Sequence, residues 1–165
     1  MRVYKIEEIA DFMNKLLLGT AFDKFLFLKG DVETFASFQM DGKLNEAYYS
    51  SDETASLEGR RLALWSQIRP AAHLLMKGKK LPVQFSFILQ LSEENAGWLL
   101  NKYHLQQYGS QLQGLYLNIR YKDKMLICTT GLSYNTFVPD RTLENVWDET
   151  AALFLKQQKI VYSEV

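Results

Sequence analysis

Val83-Gln84-Phe85-Ser86-Phe87-Ile88-Leu89-Gln90-Leu91-Ser92-Glu93-Glu94 contains a strand and the start of a helix in one short run. Val83, Phe85, Phe87, Leu89 and Leu91 alternate with Gln84, Ser86, Ile88 and Gln90, the two-residue period of a pleated strand with one face in a core. Ser92 then offers a hydroxyl to the free amides of a first helical turn, and Glu93 and Glu94 set negative charge against the positive helix end. The helix that follows carries Trp98, Leu99 and Tyr103, and residues 106–113 read as loop. Beyond it, Leu115, Leu117, Ile119 and Tyr121 alternate up to a turn at Lys122-Asp123, and Met125 to Thr129 pairs back. Gly131 is expected to bend the chain before a third strand through Leu132, Tyr134, Thr136 and Val138.

The same order, strand, helix, three strands, is expected upstream in residues 2–49. Ile6, Ile9, Phe12, Met13, Leu16 and Leu17 lie at helical spacing, which predicts a helix over 6–18 closed by Gly19. Lys24 to Lys29 and Val32 to Met40 read as strands around Gly30-Asp31, and Asp41-Gly42 reads as a type I′ hairpin turn before a strand over Lys43 to Tyr49. Phe35 breaks the parity of Phe38 and Met40, which points to two covered faces or a bulge.

Between the units, Ser50 to Thr54 is expected to be loop. Leu57, Leu64, Trp65 and Ile68 predict a helix over 57–68, and Arg69-Pro70 is expected to break it before a second piece running to about Met76. Pro139 ends the later meander, and Leu143, Val146, Trp147, Phe154 and Leu155 define a last helix, 142–157, capped by Asp140 or Thr142. Lys159 to Tyr162 is a segment suited to covering a sheet edge. The expectation is one α+β domain over 1–165: a duplicated strand-helix-three-strand unit (2–49 and 83–138), mainly antiparallel sheets with helices packed on them, a helical joint over 56–80 and a C-terminal helix.

Composition sets further bounds. With 165 residues, 47% of them hydrophobic, the chain has the size and apolar content of a single compact core. Apolar runs such as Leu16-Leu17-Leu18 are far below the roughly 20 residues that cross a bilayer, so no membrane span is expected. The lone Cys128 and the absence of an Asn-x-Ser/Thr sequon suit a reducing cytoplasm. Lys plus Arg balance Asp plus Glu at 19 each, yet residues 56–82 concentrate Arg60, Arg61, Arg69, Lys77, Lys79 and Lys80 against the single acid Glu58. That basic patch suits phosphates or an acidic partner, or is simply a solvated helix face.

Two resemblances extend this reading. A strand-helix-three-strand unit occurring twice resembles the half-domain of the DNA sliding clamp family, in topology and over about residues 2–138. That resemblance implies a clamp-like fold, from which the chain departs by its inserted helical joint and appended helix. At the residue level, Lys5-Ile6-Glu7-Glu8-Ile9 with Phe12-Met13, Phe22-Asp23, Thr34-Phe35, Asp41-Gly42, Pro82, Asn118-Ile119-Arg120-Tyr121, Thr129-Thr130-Gly131 and Trp147-Asp148 looks like a small family of unknown function from Gram-positive anaerobic bacteria. It implies an uncharacterised cytoplasmic bacterial protein and transfers no activity.

Chemistry is sparse along the chain. There is no phosphate-binding Gly-rich loop, no His-Glu-x-x-His and no Cys-x-x-Cys, so no cofactor or metal is expected and no catalytic residue is assigned. His73 and His104 stand on separate segments, neither beside a nucleophile, and Cys128 sits in the apolar run Met125-Leu126-Ile127-Cys128. Trp147 reads as core, with Asp148 beside it as a cap or ion-pair partner. The candidate ligand residues are Asn118 and Arg120, which share one strand face opposite Ile119 and Tyr121, and Thr129, Thr130 and Ser133 around Gly131. Glu7, Glu8 and Asp11 in the first helix disfavour nucleic acid. The reading ranked first is a noncatalytic interaction domain that binds a protein partner, as a monomer or weak dimer. A small-molecule binder or enzyme with Arg120, Thr130 and Ser133 in one pocket is the alternative, and a nucleic-acid-associated clamp-like protein ranks third.

Overall fold

The computed structural model of the protein describes residues 1–165. The elements in chain order are β1 (Val3–Ile6), α1 (Ile9–Leu17), β2 (Phe25–Glu33), β3 (Ser37–Asp41), α2 (Ser51–Ser56), β4 (Ala63–Leu64), α3 (Trp65–Met76), β5 (Gln84–Leu91), α4 (Glu93–Lys102), β6 (Leu112–Lys122), β7 (Met125–Tyr134), α5 (Thr142–Gln157) and β8 (Tyr162–Glu164). All strands join one open antiparallel sheet in the order β3-β2-β5-β6-β7-β1-β8, with β4 beside β2. The α+β architecture expected from the alternation is present. The strands of residues 2–49 are not a sheet of their own: β2 joins β5, while β1 lies at the far side between β7 and β8.

One face of the sheet builds the core. Phe27, Phe87, Leu89, Leu117, Ile119, Leu126 and Cys128 meet Phe12 and Leu16 of α1, Trp65 and Ala72 of α3, Leu99 of α4, and Leu143, Trp147 and Leu155 of α5 in a single buried cluster. The alternate positions Ser86, Ile88, Asn118, Ile127 and Thr129 remain half-buried, and Arg120 is exposed, so the other face is open. Ser92 caps α4 as its sequence suggests, its hydroxyl accepting from the Asn95 amide at 3.2 Å. At the opposite end, β8 pairs with β1 along the sheet edge.

Several local expectations are overturned. The helix begins at Ile9 rather than Ile6, because Ile6 is spent in β1, paired with Tyr162 and buried. β2 runs unbroken through Gly30-Asp31, and the turn to β3 is made by Thr34-Phe35-Ala36, whose Thr34 amide donates to the Ala36 carbonyl at 3.0 Å. Asp41-Gly42 is not a hairpin turn. Gly42 serves a close approach instead, since a Cβ there would fall 1.8 Å from the Phe27 carbonyl oxygen. Lys43 to Tyr49 consequently form no strand: Lys43 makes an isolated bridge to Leu62, and Glu46–Tyr48 is a single 3-10 turn capped by Asn45.

Ser50 and Glu53 close a capping box, so the polar stretch after residue 50 is the short helix α2 rather than loop. The expected 57–68 helix is absent. In its place α3 starts at Trp65 and continues through Pro70 without a break. The ring removes one amide donor from the helix. Arg69, the residue Pro70 would push out of the helical region, is fastened by its guanidinium to Asp23 at 3.0 and 3.2 Å. β7 likewise passes straight through Gly131, which stands opposite Tyr116, and no further strand covers 135–138.

Candidate functional site

A groove of about 760 Å3 lies between α1, the end of α3, the 77–83 segment and the β6–β7 turn. Its position follows from α1's sequence. Phe12 and Leu16 turn into the core, while Ile9 and Met13, four residues apart, remain half-buried on the neighbouring side of the same helix. Opposite them, α3 contributes His73 and Met76 before the chain leaves the helix at Lys77 in extended conformation. Phe85 and Tyr121, stacked at 5.4 Å between ring centres, form the floor. Asp123 and Lys124 carry φ of 51° and 61°, a type I′ turn that lifts both charged side chains to one end.

Apolar surface spreads past the groove. Leu18 is 58% exposed, Leu81 78% and Val83 62%, three large aliphatics on adjoining walls. Among the lining residues His73, Lys77 and Lys124 supply basic groups against the single carboxylate of Asp123. Lys79 and Lys80 follow in the 77–83 segment and are exposed. The site is therefore apolar in its walls and net positive at its rim.

The polar residues singled out in the sequence are dispersed. Asn118 stands directly across from Thr129 on the open face, and Arg120 shares that face beside Ser86 and Ile127, as strand parity indicates. Arg120 borders a hollow of about 310 Å3 with Asp31 and Ser86. Thr130 points the other way: it is fully buried, accepts from the Arg2 amide at 2.8 Å and donates its hydroxyl proton to Asp148. Ser133 pairs with Gly114, six residues along β6 from Arg120 and so about 20 Å away at the strand rise. Its hydroxyl donates to Gln113 at 2.7 Å. Arg120, Thr130 and Ser133 thus share no pocket: Thr130 faces the core, away from Arg120 on the open face, and Ser133 lies about 20 Å from Arg120 along the strand direction.

The basic patch is also divided. Arg69 is paired with Asp23, Lys77 lines the groove, and Arg60 and Arg61 lie beyond the other end of α3, which is about 18 Å long. Cys128 is completely buried, which pushes its thiol far above the ordinary range and removes it as a nucleophile at neutral pH. Trp147 is core, its indole N–H donating to the Tyr116 carbonyl at 3.0 Å. Asp148 is 4% exposed and held by Thr130 and the Met1 α-amino group, the latter at 2.9 Å. No three His, Cys, Asp or Glu side chains are grouped to hold a metal ion. No helix is long and apolar enough to cross a membrane.

The groove was missed in the sequence, although two signals bear on it. The apolar stripe of α1 is wider than one core contact needs, and Leu81-Pro82-Val83 places aliphatics outside any helix. A model described only as a family of unknown function matches residues 15–163. Nothing among curated proteins matches the chain, and no solved structure does.

Proposed function

Because the chain belongs to that family, DUF5721, whose description assigns no activity, we propose a function from geometry: a noncatalytic interaction domain whose α1–α3 groove takes an amphipathic helix of a partner protein. The observation that carries this is the pairing of an apolar groove of about 760 Å3 with a net positive rim. An amphipathic helix lays apolar anchors at positions i, i+3, i+4 and i+7 into such a groove, and acidic residues beside those anchors meet Lys77, Lys124 and His73. Exposed Leu18, Leu81 and Val83 extend the apolar surface beyond what a small ligand would cover, which favours a protein. The setting we infer is the cytoplasm of a Gram-positive anaerobe, on the residue-level resemblance and the one unpaired thiol, with the protein a monomer or weak dimer.

The test uses fluorescently labelled amphipathic helical peptides of identical apolar face, with acidic or basic flanking residues, measured by anisotropy. The acidic series is expected to bind more tightly by about tenfold or more, corresponding to about 1.4 kcal/mol, and to weaken with salt. Leu81→Asp and Val83→Asp alter exposed positions and are expected to leave the fold intact and to abolish binding. Absence of binding by both series, or binding unchanged in both variants, rules the groove out.

A further inference from the structure

Another cavity, of about 370 Å3, lies beyond the N-terminal end of α3 between the 43–49 and 57–61 segments. The two segments are tied by the Leu44 amide, which donates to the Arg61 carbonyl at 2.9 Å, and by the bridge between Lys43 and Leu62. Glu58 and Gly59, with φ of 52° and 75°, reverse the chain so that Arg60 and Arg61 return alongside Lys43.

Three cations, Lys43, Arg60 and Arg61, line this cavity against the single carboxylate of Glu46. None of the four takes part in an ion pair. The Nε of Arg60 is buried and finds no hydrogen-bond acceptor within the chain, an arrangement folded proteins seldom leave unless something else supplies one. Tyr49 and Leu57 complete the wall with an aromatic ring and an aliphatic chain. A dianion matches the net double positive charge, and guanidinium forks suit tetrahedral oxyanions in pairs of hydrogen bonds.

We propose that the cavity lined by Lys43, Arg60 and Arg61 binds a small organic phosphate monoester, with the phosphoryl group on the cations and the carbon skeleton against Tyr49 and Leu57. A bare phosphate fills only part of a cavity of this size, and small-ligand sites combine apolar walls with a few placed polar groups in this way. The site is separate from the α1–α3 groove and stands whether or not that groove binds a helix.

NMR titration of the full chain with phenyl phosphate, at constant ionic strength and with phenol and inorganic phosphate as controls, tests the proposal. Phenyl phosphate is expected to perturb amides of residues 43–49 and 57–61, to bind more tightly than inorganic phosphate, and phenol to leave them unmoved. Arg61→Gln, at an exposed position that does not endanger folding, is expected to weaken phenyl phosphate binding by about tenfold, and Arg60→Ala by more. Equal affinity in Arg61→Gln and the parent, a response to phenol matching that to phenyl phosphate, or no perturbation at all would each overturn it.

Discussion

The indole N–H of Trp65, at the first turn of α3, donates to the carbonyl of Leu16 in the last turn of α1 at 2.9 Å, with the ring fully buried. The two helices that wall the groove are thereby fixed to each other by a hydrogen bond between residues 49 positions apart. The ring also packs on Phe27 and Phe87, at 5.6 and 5.2 Å between centres, so the same residue anchors both helices to the sheet.

Trp65→Phe is expected to cost about 2–4 kcal/mol, from the volume left unfilled and the Leu16 carbonyl left without its donor. Chemical denaturation followed by far-UV circular dichroism measures it. A loss below about 1 kcal/mol would mean that neither the bond nor the packing holds α1 against α3.

Acid stability depends on Glu144. Its carboxyl is held down to about 2, first by the Arg141 guanidinium hydrogen-bonded to it at 3.0 and 3.1 Å and next by the Met1 α-amino group. A depressed carboxylate stabilises the folded state fully above its unfolded value of 4.5, and that contribution is lost as pH falls from there toward about 2. Glu144→Gln is therefore expected to lower stability at neutral pH and to flatten its decline between roughly pH 4.5 and 2. Parallel melting curves for variant and parent across that window would refute the assignment.

Two glycines make opposite predictions. Gly42→Ala sets a methyl 1.8 Å from the Phe27 carbonyl oxygen, which must force β2 and the 42–44 segment apart, and is expected to cost more than about 2 kcal/mol. Gly97→Ala sits within α4 with nothing inside 4 Å of the new carbon, and is expected to gain about 0.5–1 kcal/mol from helix propensity alone. Thermal denaturation of the pair separates the effects by sign, and a gain at Gly42 or a loss at Gly97 contradicts the packing described.

What the sequence by itself determined is what neighbouring residues decide among themselves. The alternation of Phe85, Phe87 and Leu89 specifies which face of β5 is core, Ser92 caps α4, and the parity of Asn118 and Arg120 places them on one face. These follow from a two-residue period and from hydrogen bonds within a single turn. Only the tertiary structure decided that Gly42 is a point of contact with Phe27 rather than a turn, and that α3 passes through Pro70 with Arg69 held by Asp23, 46 residues away. It also decided that β1 lies between β7 and β8, and that Ile9, Met13, Met76 and Tyr121 line one groove. Local pattern specifies which way a side chain points, whereas the partner it meets depends on contacts between distant segments, which no local periodicity encodes.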